Sequence, residues 1–279
     1  MDTTAFLRRL GLRGHDGPSL EALTTLMAAF ADSVPYETVQ YQFGRGGPLD
    51  PEAVAARIIS REAGGYCFQL NGSFGALLTA LGYRVTMHRG GAETPNRPAK
   101  VDASHLVLTV DNLPDAPGAW IADVGLGEGL LAPLPLGVGS FEQEPFKLGL
   151  RPSELVDGWR LDHDPRSSLT GMDFESAPAT MQAFEEQHAY LSVSPESPFV
   201  RLLSCFRRKP RSTAILRALT LTELTATDLD TVVLETEPDF YTVLADVFSL
   251  PLTHLSTTER TELWKRANTQ HEAFLANTQ

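Results

Sequence analysis

The stretch Arg61-Glu-Ala-Gly-Gly-Tyr-Cys-Phe-Gln-Leu-Asn71 lies where one amphipathic helical pattern ends and another begins. Gly64-Gly65 predicts a turn between the two patterns, and the second pattern runs from Phe68 to Leu81. Cys67 is therefore predicted at or just before a helix N-terminus, where unpaired N–H groups and the positive end of the helix dipole favour an anion. A cysteine placed there tends to lose its proton near neutral pH, and the thiolate is a nucleophile. The alternative is a buried structural cysteine, which is the commoner fate of a free thiol.

Composition and charge limit the classes of protein to which the chain can belong. Its 279 residues suffice for one large domain or for two to three small ones. A net charge of −12 repels phosphate backbones and disfavours nucleic acid as a partner. No apolar run reaches the roughly 18 residues of a membrane span, and the N-terminus lacks a secretory signal pattern, so we expect no membrane association. Two cysteines suit a reducing cytoplasm, the compartment that we predict, and exclude a cysteine-rich zinc module.

The pattern of apolar residues changes twice along the chain and predicts an α+β protein of three parts. Residues 1–83 are mainly helical, residues 84–195 are short β-rich runs separated by prolines and glycines, and residues 196–279 combine strands with a last helix. The helices predicted in the first part are residues 3–10, a helix capped by Ser19, Glu52–Ile59 after the cap Asp50, and Phe68–Leu81. The elements predicted in the third part are strands Phe199–Phe206 and Ala214–Leu221 and a helix from Thr258 to Phe274.

His105 and Asp123 are the residues that the sequence offers for activating a thiol at position 67. Catalysis by a thiol needs a base within hydrogen-bonding reach and a third group that orients the base. His105 opens a predicted strand and Asp123 closes the predicted strand Trp120–Val124, at the spacing of neighbouring strands joined by a loop. Cys67, His105 and Asp123 therefore form a plausible triad. The alternatives are that His105 is an ordinary surface or core residue of its strand and that Asp123 only forms a turn.

Two further segments have the composition of ligand-binding sites. Gly125, Gly127 and Gly129 follow Asp123 and allow another backbone or a ligand to approach closely, although no helix follows as a dinucleotide fingerprint would need. The basic tip 207–211 is a candidate for a polyphosphate such as the 3′-phosphoadenosine part of coenzyme A; the alternative is a solvated hairpin end. No Gly-x-Ser-x-Gly elbow and no cluster of residues at metal-ligand spacing is present, so we predict neither a serine nucleophile nor a metal site.

Five segments together resemble one known family. Gly64–Asn71, His105–Val110 and Ala122–Gly127 resemble, in order and spacing, the three signature segments of arylamine N-acetyltransferases. Val34–Glu37 is similar to the Pro-Phe-Glu-Asn segment of that family, and Ser192–Val200 looks like the segment that opens its third domain. The resemblance covers nearly the whole chain.

The resemblance implies a fold, a mechanism and a set of ligands. The fold is a helical bundle (1–83), a β-barrel (84–195) and an α/β lid (196–279), with a cysteine-protease-like Cys-His-Asp core. Cys67 is implied as the nucleophile, His105 as its base and Asp123 as the orienting acid. Acetyl-CoA would acylate Cys67 as a donor substrate, not as a permanently bound cofactor, and an arylamine or arylhydrazine would then take the acetyl group in a ping-pong reaction. The residues expected to bind the substrates are Tyr36, Gly125, Leu126, Gly127, Arg207 and Arg208.

Three departures from the family pattern keep other functions open. Ala63 replaces the usual Arg before Gly-Gly, which removes a charged partner and predicts looser support of the active site; Thr38 replaces Asn, and Leu126 replaces a Phe associated with the acceptor. These changes make an amide synthase the main alternative, with an acyl carrier protein as partner and a carrier-bound polyketide as acyl donor. A hydrolase with the same triad and a non-catalytic ligand-binding homologue are further alternatives. The sequence leaves the acyl donor, the acceptor and the oligomeric state open.

Overall fold

The structure is a computed structural model that describes residues 1–276. The described residues form eight α-helices: α1 (Thr3–Arg9), α2 (Leu20–Ser33), α3 (Pro51–Arg61), α4 (Cys67–Ala80), α5 (Glu185–Val193), α6 (Pro198–Arg201), α7 (Glu237–Asp246) and α8 (Thr257–Ala276). Short 3₁₀ helices cover Val39–Phe43 and Met181–Phe184. None of the described helices combines the length and the apolar character that crossing a membrane requires.

The helix starts follow from local side-chain chemistry, as predicted. Ser19 Oγ accepts a hydrogen bond from the backbone N–H of Ala22 at 3.0 Å and caps α2. Asp50 caps α3 in the same way at 2.8 Å from the N–H of Ala53, and Pro51 occupies the first helical position, where no N–H is needed. These caps confirm the predicted beginnings of both helices.

Thirteen strands form two antiparallel sheets among the described residues. The strands are β1 (Tyr36–Glu37), β2 (Arg84–Glu93), β3 (His105–Leu113), β4 (Ala116–Ile121), β5 (Leu134–Pro135), β6 (Gly139–Gln143), β7 (Phe146–Pro152), β8 (Gly158–Asp162), β9 (Gly171–Ala179), β10 (Ser204–Arg208), β11 (Ser212–Arg217), β12 (Thr220–Thr225) and β13 (Leu229–Val233). The larger sheet, in the order β5-β4-β3-β2-β9-β8-β7-β6, is nearly closed and barrel-like, which together with the helices confirms the predicted fold class.

The smaller sheet joins the N-terminal part of the chain to its C-terminal part. Its order is β1-β10-β11-β12-β13, so a two-residue strand from the N-terminal part is the edge strand of a sheet built from the C-terminal part. The register places Tyr36 opposite Phe206 and Glu37 opposite Cys205. The N-terminal part therefore contains more than the helices that its sequence pattern predicts. The division of the chain into domains at residues 83 and 195 stays a prediction.

Three predicted elements differ from the structure. Ala214–Leu221 is not one strand, because β11 ends at Arg217 and the chain turns at Ala218, which has a φ of 49°, into β12. Phe199–Phe206 is not one strand, because Ser197 caps the short helix α6 by accepting the N–H of Phe199 at 3.1 Å, and β10 begins only at Ser204. Asp123 does not close a strand, because β4 ends at Ile121.

Helix α4 links the helical part to the larger sheet. Most of its residues are buried, including polar ones, and it packs against α3, β2 and β3. A helix that is apolar on nearly all sides belongs in the interior of a protein. Gly75 gives α4 close access to β3, since a Cβ atom there would lie 3.4 Å from the methyl carbons of Leu108. This packing brings the N-terminal end of α4 next to the beginning of β3.

Candidate active site

Cys67 is the first residue of α4, and its thiol is buried. The N–H groups of Gln69 and Leu70 both donate to the carbonyl of Tyr66, at 2.9 Å each. Among the described residues, none accepts a hydrogen bond from the backbone N–H of Cys67 or Phe68, as expected for a helix N-terminus. Cys67 Sγ lies 3.7 Å from the carbonyl oxygen of Ser104, the residue before β3.

His105 and Asp123 meet beside this thiol. Nε2 of His105 lies 2.6 Å from Oδ2 of Asp123, and the two residues are 2% and 0% exposed. Burial alone would lower the pKa of His105, but the charge of Asp123 and the hydrogen bonds that the imidazolium donates to Asp123 and to the sulfur of Cys67 outweigh it and raise this pKa to about 10. The imidazolium form is therefore stabilised between an acid and a thiol.

Asn71 holds the carboxylate of Asp123 in place. Asn71 lies one turn after Cys67 on α4, and its Nδ2 donates to Asp123 Oδ1 at 2.9 Å and to the carbonyl of Leu106 at 2.6 Å. Its Oδ1 accepts the N–H of Val124 at 2.9 Å. Sequence reasoning assigned no role to Asn71; the signal that could have found it is the spacing of four residues that puts it on the same helix face as Cys67.

Gly125 lets the loop after β4 lie directly against α4. Its N–H donates to Asp123 Oδ1 at 2.8 Å. A Cβ atom at this position would lie 2.7 Å from Asn71 Nδ2 and 2.9 Å from the Cα of Cys67, which is too close for a side chain. The structure thus agrees with the reason that the sequence suggested for a glycine here, because the backbone of Cys67 approaches Gly125 closely.

A cavity of about 460 Å³ opens over Cys67 and His105. Tyr36, Gly125 and Leu126 line it, whereas Gly127 does not. Tyr36 makes edge-to-face contacts with Phe206 and Phe199, with ring centroids 5.2 and 6.3 Å apart. The remaining lining residues are Ala92, Thr94, Asn96, Arg97, Ser104, Ser168, Leu169 and Pro198. The cavity therefore has a largely aromatic and aliphatic wall, with polar groups on the segment after β2 and at Ser104 and Ser168.

The structure does not bring Arg207 and Arg208 to this cavity. Arg207 donates to Asp32 Oδ1 and to the carbonyl of Val247, each at 2.9 Å. Arg208 is 3% exposed, and its guanidinium is bonded to backbone carbonyls, those of Gly129 (3.2 Å), Gln143 (2.7 Å), Glu144, Lys209 and Ser212 (3.2 Å). Burial lowers the pKa of Arg208 to about 10, so it stays charged at neutral pH. Its guanidinium acts here as an internal crosslink.

A guanidinium from α3 lies beside the Gly64-Gly65 pair that follows Ala63. Arg57 of α3 places its guanidinium Nη2 atom 2.5 Å from the carbonyl of Gly64 and its Nη1 atom 3.6 Å from Glu37 Oε1. A charged side chain therefore contacts this loop although residue 63 is alanine, and the looser support expected from Ala63 stays a prediction. Thr38 also has a role, because its hydroxyl accepts the N–H of Ser204 at 2.9 Å and ties β1 to β10.

One family of known proteins matches most of this chain. A family model described as N-acetyltransferase matches residues 19–257. The arylamine N-acetyltransferase of Mycobacterium tuberculosis is 30% identical over 210 residues, which are 72% of each chain. The chain belongs to the arylamine N-acetyltransferase family.

Relatives and solved structures of this family match most of the chain. Arylamine N-acetyltransferase 1 of Oryctolagus cuniculus is 28% identical over 277 residues, 90% of this chain and 95% of its own. The structure of the Mycobacterium marinum arylamine N-acetyltransferase in complex with CoA has a TM-score of 0.86 at 26% identity and covers 96% of this chain and 99% of the other. The protein is thus an acyltransferase of arylamine N-acetyltransferase type. The amide synthase alternative and its carrier protein gain no support from these matches.

Proposed function

We propose that the protein transfers an acetyl group from acetyl-CoA, through a thioester on Cys67, to the nitrogen of an arylamine or arylhydrazine. The observation that carries this proposal is the buried 2.6 Å contact between His105 and Asp123 next to a thiol at a helix N-terminus. The complex of the Mycobacterium marinum relative with CoA supports a CoA thioester as the donor. Acetyl-CoA is then a substrate of the first half-reaction.

The first half-reaction forms the acyl-enzyme. Because Nε2 of His105 faces Asp123, Nδ1 is the nitrogen that accepts the proton of the Cys67 thiol. The thiolate attacks the carbonyl carbon of acetyl-CoA, and the free backbone N–H groups at the start of α4 are donors for the developing oxyanion. The C–S bond to CoA then breaks, and the CoA sulfur takes the proton from His105. One thioester replaces another, so the step changes little in energy.

The second half-reaction transfers the acetyl group to nitrogen. The amine attacks the thioester carbon, His105 accepts the proton of the attacking nitrogen, and the thiolate of Cys67 leaves. A weakly basic aromatic amine is uncharged at pH 7 and suits the wall formed by Tyr36, Leu126 and Phe206. The same wall disfavours strongly basic alkyl amines, which would have to lose both a charge and its hydration.

The test is the intact-protein mass after mixing with acetyl-CoA, for wild type, Cys67→Ala and Cys205→Ala. Cys205 is the matched control, since it is also buried and burial raises the pKa of its thiol. We expect one added acetyl group in wild type and in Cys205→Ala, none in Cys67→Ala, and loss of the group on adding an arylamine, with formation of the N-acetyl product. Acetylation of Cys67→Ala, or an unmodified wild type, would contradict the proposal. If the acetyl group left the protein as free acetate without an amine, at the rate seen with an arylamine, the protein would be a hydrolase.

A further inference from the structure

Arg57 connects the segments around the loop that precedes Cys67. Besides Gly64 and Glu37, its guanidinium contacts Gln69, with Nη2 3.3 Å from Oε1, and Gln40, with Nη1 3.3 Å from Oε1. Gln69 lies in the first turn of α4, and its Nε2 donates to the carbonyl of Pro48 at 2.9 Å. The guanidinium of Arg57 therefore makes hydrogen bonds to the loop of residues 62–66, to α4 and to the segment after β1.

The loop leaves no room for larger residues at Gly64 and Gly65. A Cβ atom on Gly64 would lie 1.8 Å from the carbonyl oxygen of Pro35, and one on Gly65 would lie 2.6 Å from Gln69 Oε1 and 3.0 Å from Arg57 Nη2. The N–H of Glu37 donates to the carbonyl of Gly65 at 2.9 Å. The guanidinium therefore fits against a glycine pair whose backbone is already fixed on its other side.

The charge of Arg57 also has a buried partner. Glu37 is 2% exposed; burial raises the pKa of its carboxyl group, and Arg57 followed by the N–H of Val39 opposes this rise. A buried carboxylate without its cation would be strongly destabilised, or would take up a proton and lose its hydrogen-bonding pattern. The contacts of Arg57 and Glu37 therefore depend on each other.

Position 63 is alanine in this protein and therefore supplies no guanidinium to the loop. It is 5% exposed and lines a small cavity of about 50 Å³ together with Glu37 and Arg57. The resembled family usually carries Arg at this position, next to the same Gly-Gly pair. Both positions border one cavity, so a side chain from either could reach Glu37.

We propose that Arg57 is the positioning residue of the nucleophile in this protein, and that its guanidinium, supplied from α3, takes the place of one supplied from position 63. The inference rests on the proposed function in treating Cys67 as the nucleophile. Arg57 does not line the cavity over Cys67 and His105; it acts by holding the carbonyl of Gly64 and the side chain of Gln69, and hence the start of α4.

The test compares three variants with wild type. Arg57→Met removes the guanidinium and keeps an aliphatic chain, and Arg57→Met with Ala63→Arg moves the guanidinium to position 63. Arg61→Met is the matched control, because Arg61 lies one turn later on α3, borders the same cavity and makes no ion pair or side-chain hydrogen bond among the described residues. For each protein, Cys67 alkylation by iodoacetamide is followed by intact mass between pH 6 and 9, with thermal unfolding, kcat and KM for acetyl-CoA.

We expect Arg57→Met to slow Cys67 alkylation at pH 6 about tenfold and to lower kcat on the order of 10- to 100-fold, since small displacements of reacting groups have effects of this size. KM for acetyl-CoA should stay within about twofold of wild type. The relocated guanidinium should restore most of both rates, and Arg61→Met should match wild type. A folded Arg57→Met with wild-type alkylation and kcat would overturn the proposal, as would a folded double variant as slow as Arg57→Met.

Two features keep the experiment decisive. If Arg57→Met does not fold, Arg57→Lys is measured instead; it keeps the charge beside Glu37 without the planar fork that reaches Gly64 and Gln69 together. Wild-type alkylation and kcat in Arg57→Lys would overturn the proposal, and slowed rates would support it. Because alkylation needs no acetyl-CoA, a slowed reaction in the variant supports positioning even if wild type takes up no acetyl group, which is the result that contradicts the proposed function.

Discussion

Nε2 of His105 lies 2.6 Å from Oδ2 of Asp123, although 18 positions separate the two residues in the chain. The contact forms because His105 begins β3, while the chain leaves β4 at Ile121 and turns back over α4. Asn71 and the N–H of Gly125 occupy the other carboxylate oxygen, which leaves Oδ2 for the imidazole. The acid is thus oriented before any substrate arrives.

Removing the charge of Asp123 should affect turnover far more than substrate binding. In Asp123→Asn the amide cannot stabilise an imidazolium and favours the wrong tautomer of His105, so we expect kcat to fall on the order of 10³- to 10⁴-fold. Single-turnover acylation by acetyl-CoA measures the effect. Asp246→Asn, an exposed carboxylate on α7, is the control and should match wild type. A tenfold or smaller loss in Asp123→Asn would show that the acid does not orient the base.

Stability should decline as the solution becomes alkaline. The pKa of His105 is about 10 in the folded protein, above the ordinary value of 6.5, so the folded state keeps a proton that the unfolded state has lost between these values. The stabilisation is complete below about pH 6.5 and disappears as the pH rises through 10. Thermal unfolding from pH 6 to 10 should show a falling midpoint, and the slope should be smaller in His105→Gln. Equal slopes in both proteins would exclude this group as the cause.

Substitution by alanine should lower the stability of the protein at Gly125 and leave it nearly unchanged at Gly137. A Cβ atom on Gly125 would press against Asn71 and the backbone of Cys67, so Gly125→Ala should destabilise the protein by about 1–3 kcal/mol and lower kcat. Gly137 has no atom within 4 Å of an added Cβ, and Gly137→Ala should stay within about 0.5 kcal/mol of wild type. Chemical denaturation and steady-state kinetics measure both. Equal behaviour of the two variants would mean that the loop after β4 does not lie against α4.

Arg208 should act on stability and not on binding of the donor. Arg208→Met removes the donor to the buried carbonyl of Gly129, at a cost of about 1–3 kcal/mol, and to the part-buried carbonyl of Gln143, so the unfolding midpoint should fall markedly. Arg211→Met, at the exposed end of the same tip, should leave it unchanged. KM for acetyl-CoA should remain within about twofold in both. A large rise of KM in Arg208→Met without loss of stability would instead support the sequence-based expectation that Arg208 binds coenzyme A.

Local sequence was a good guide wherever the structure is decided by neighbours in the chain. The caps Ser19 and Asp50 and the start of α4 at Cys67 each depend on side chains and backbone groups within a few residues. The same local reasoning missed α6, because the extended pattern of residues 199–206 hid the cap at Ser197 and the proline that follows it. It also placed Asp123 inside a strand, although the aspartate turns the chain just after one.

By itself, the sequence determined the α+β fold class, the family, and the position of Cys67 at the start of a helix, since these follow from ordered motifs and short-range periodicity. Only the tertiary structure decided which side chains support that cysteine. Asn71 donates to Asp123, 52 positions away in the chain, and Arg57 donates to the carbonyl of Gly64. Arg208 points inward and donates to backbone carbonyls. A buried polar or charged side chain is placed by the hydrogen-bonding groups that distant segments bring to it, and no local pattern records where those segments meet.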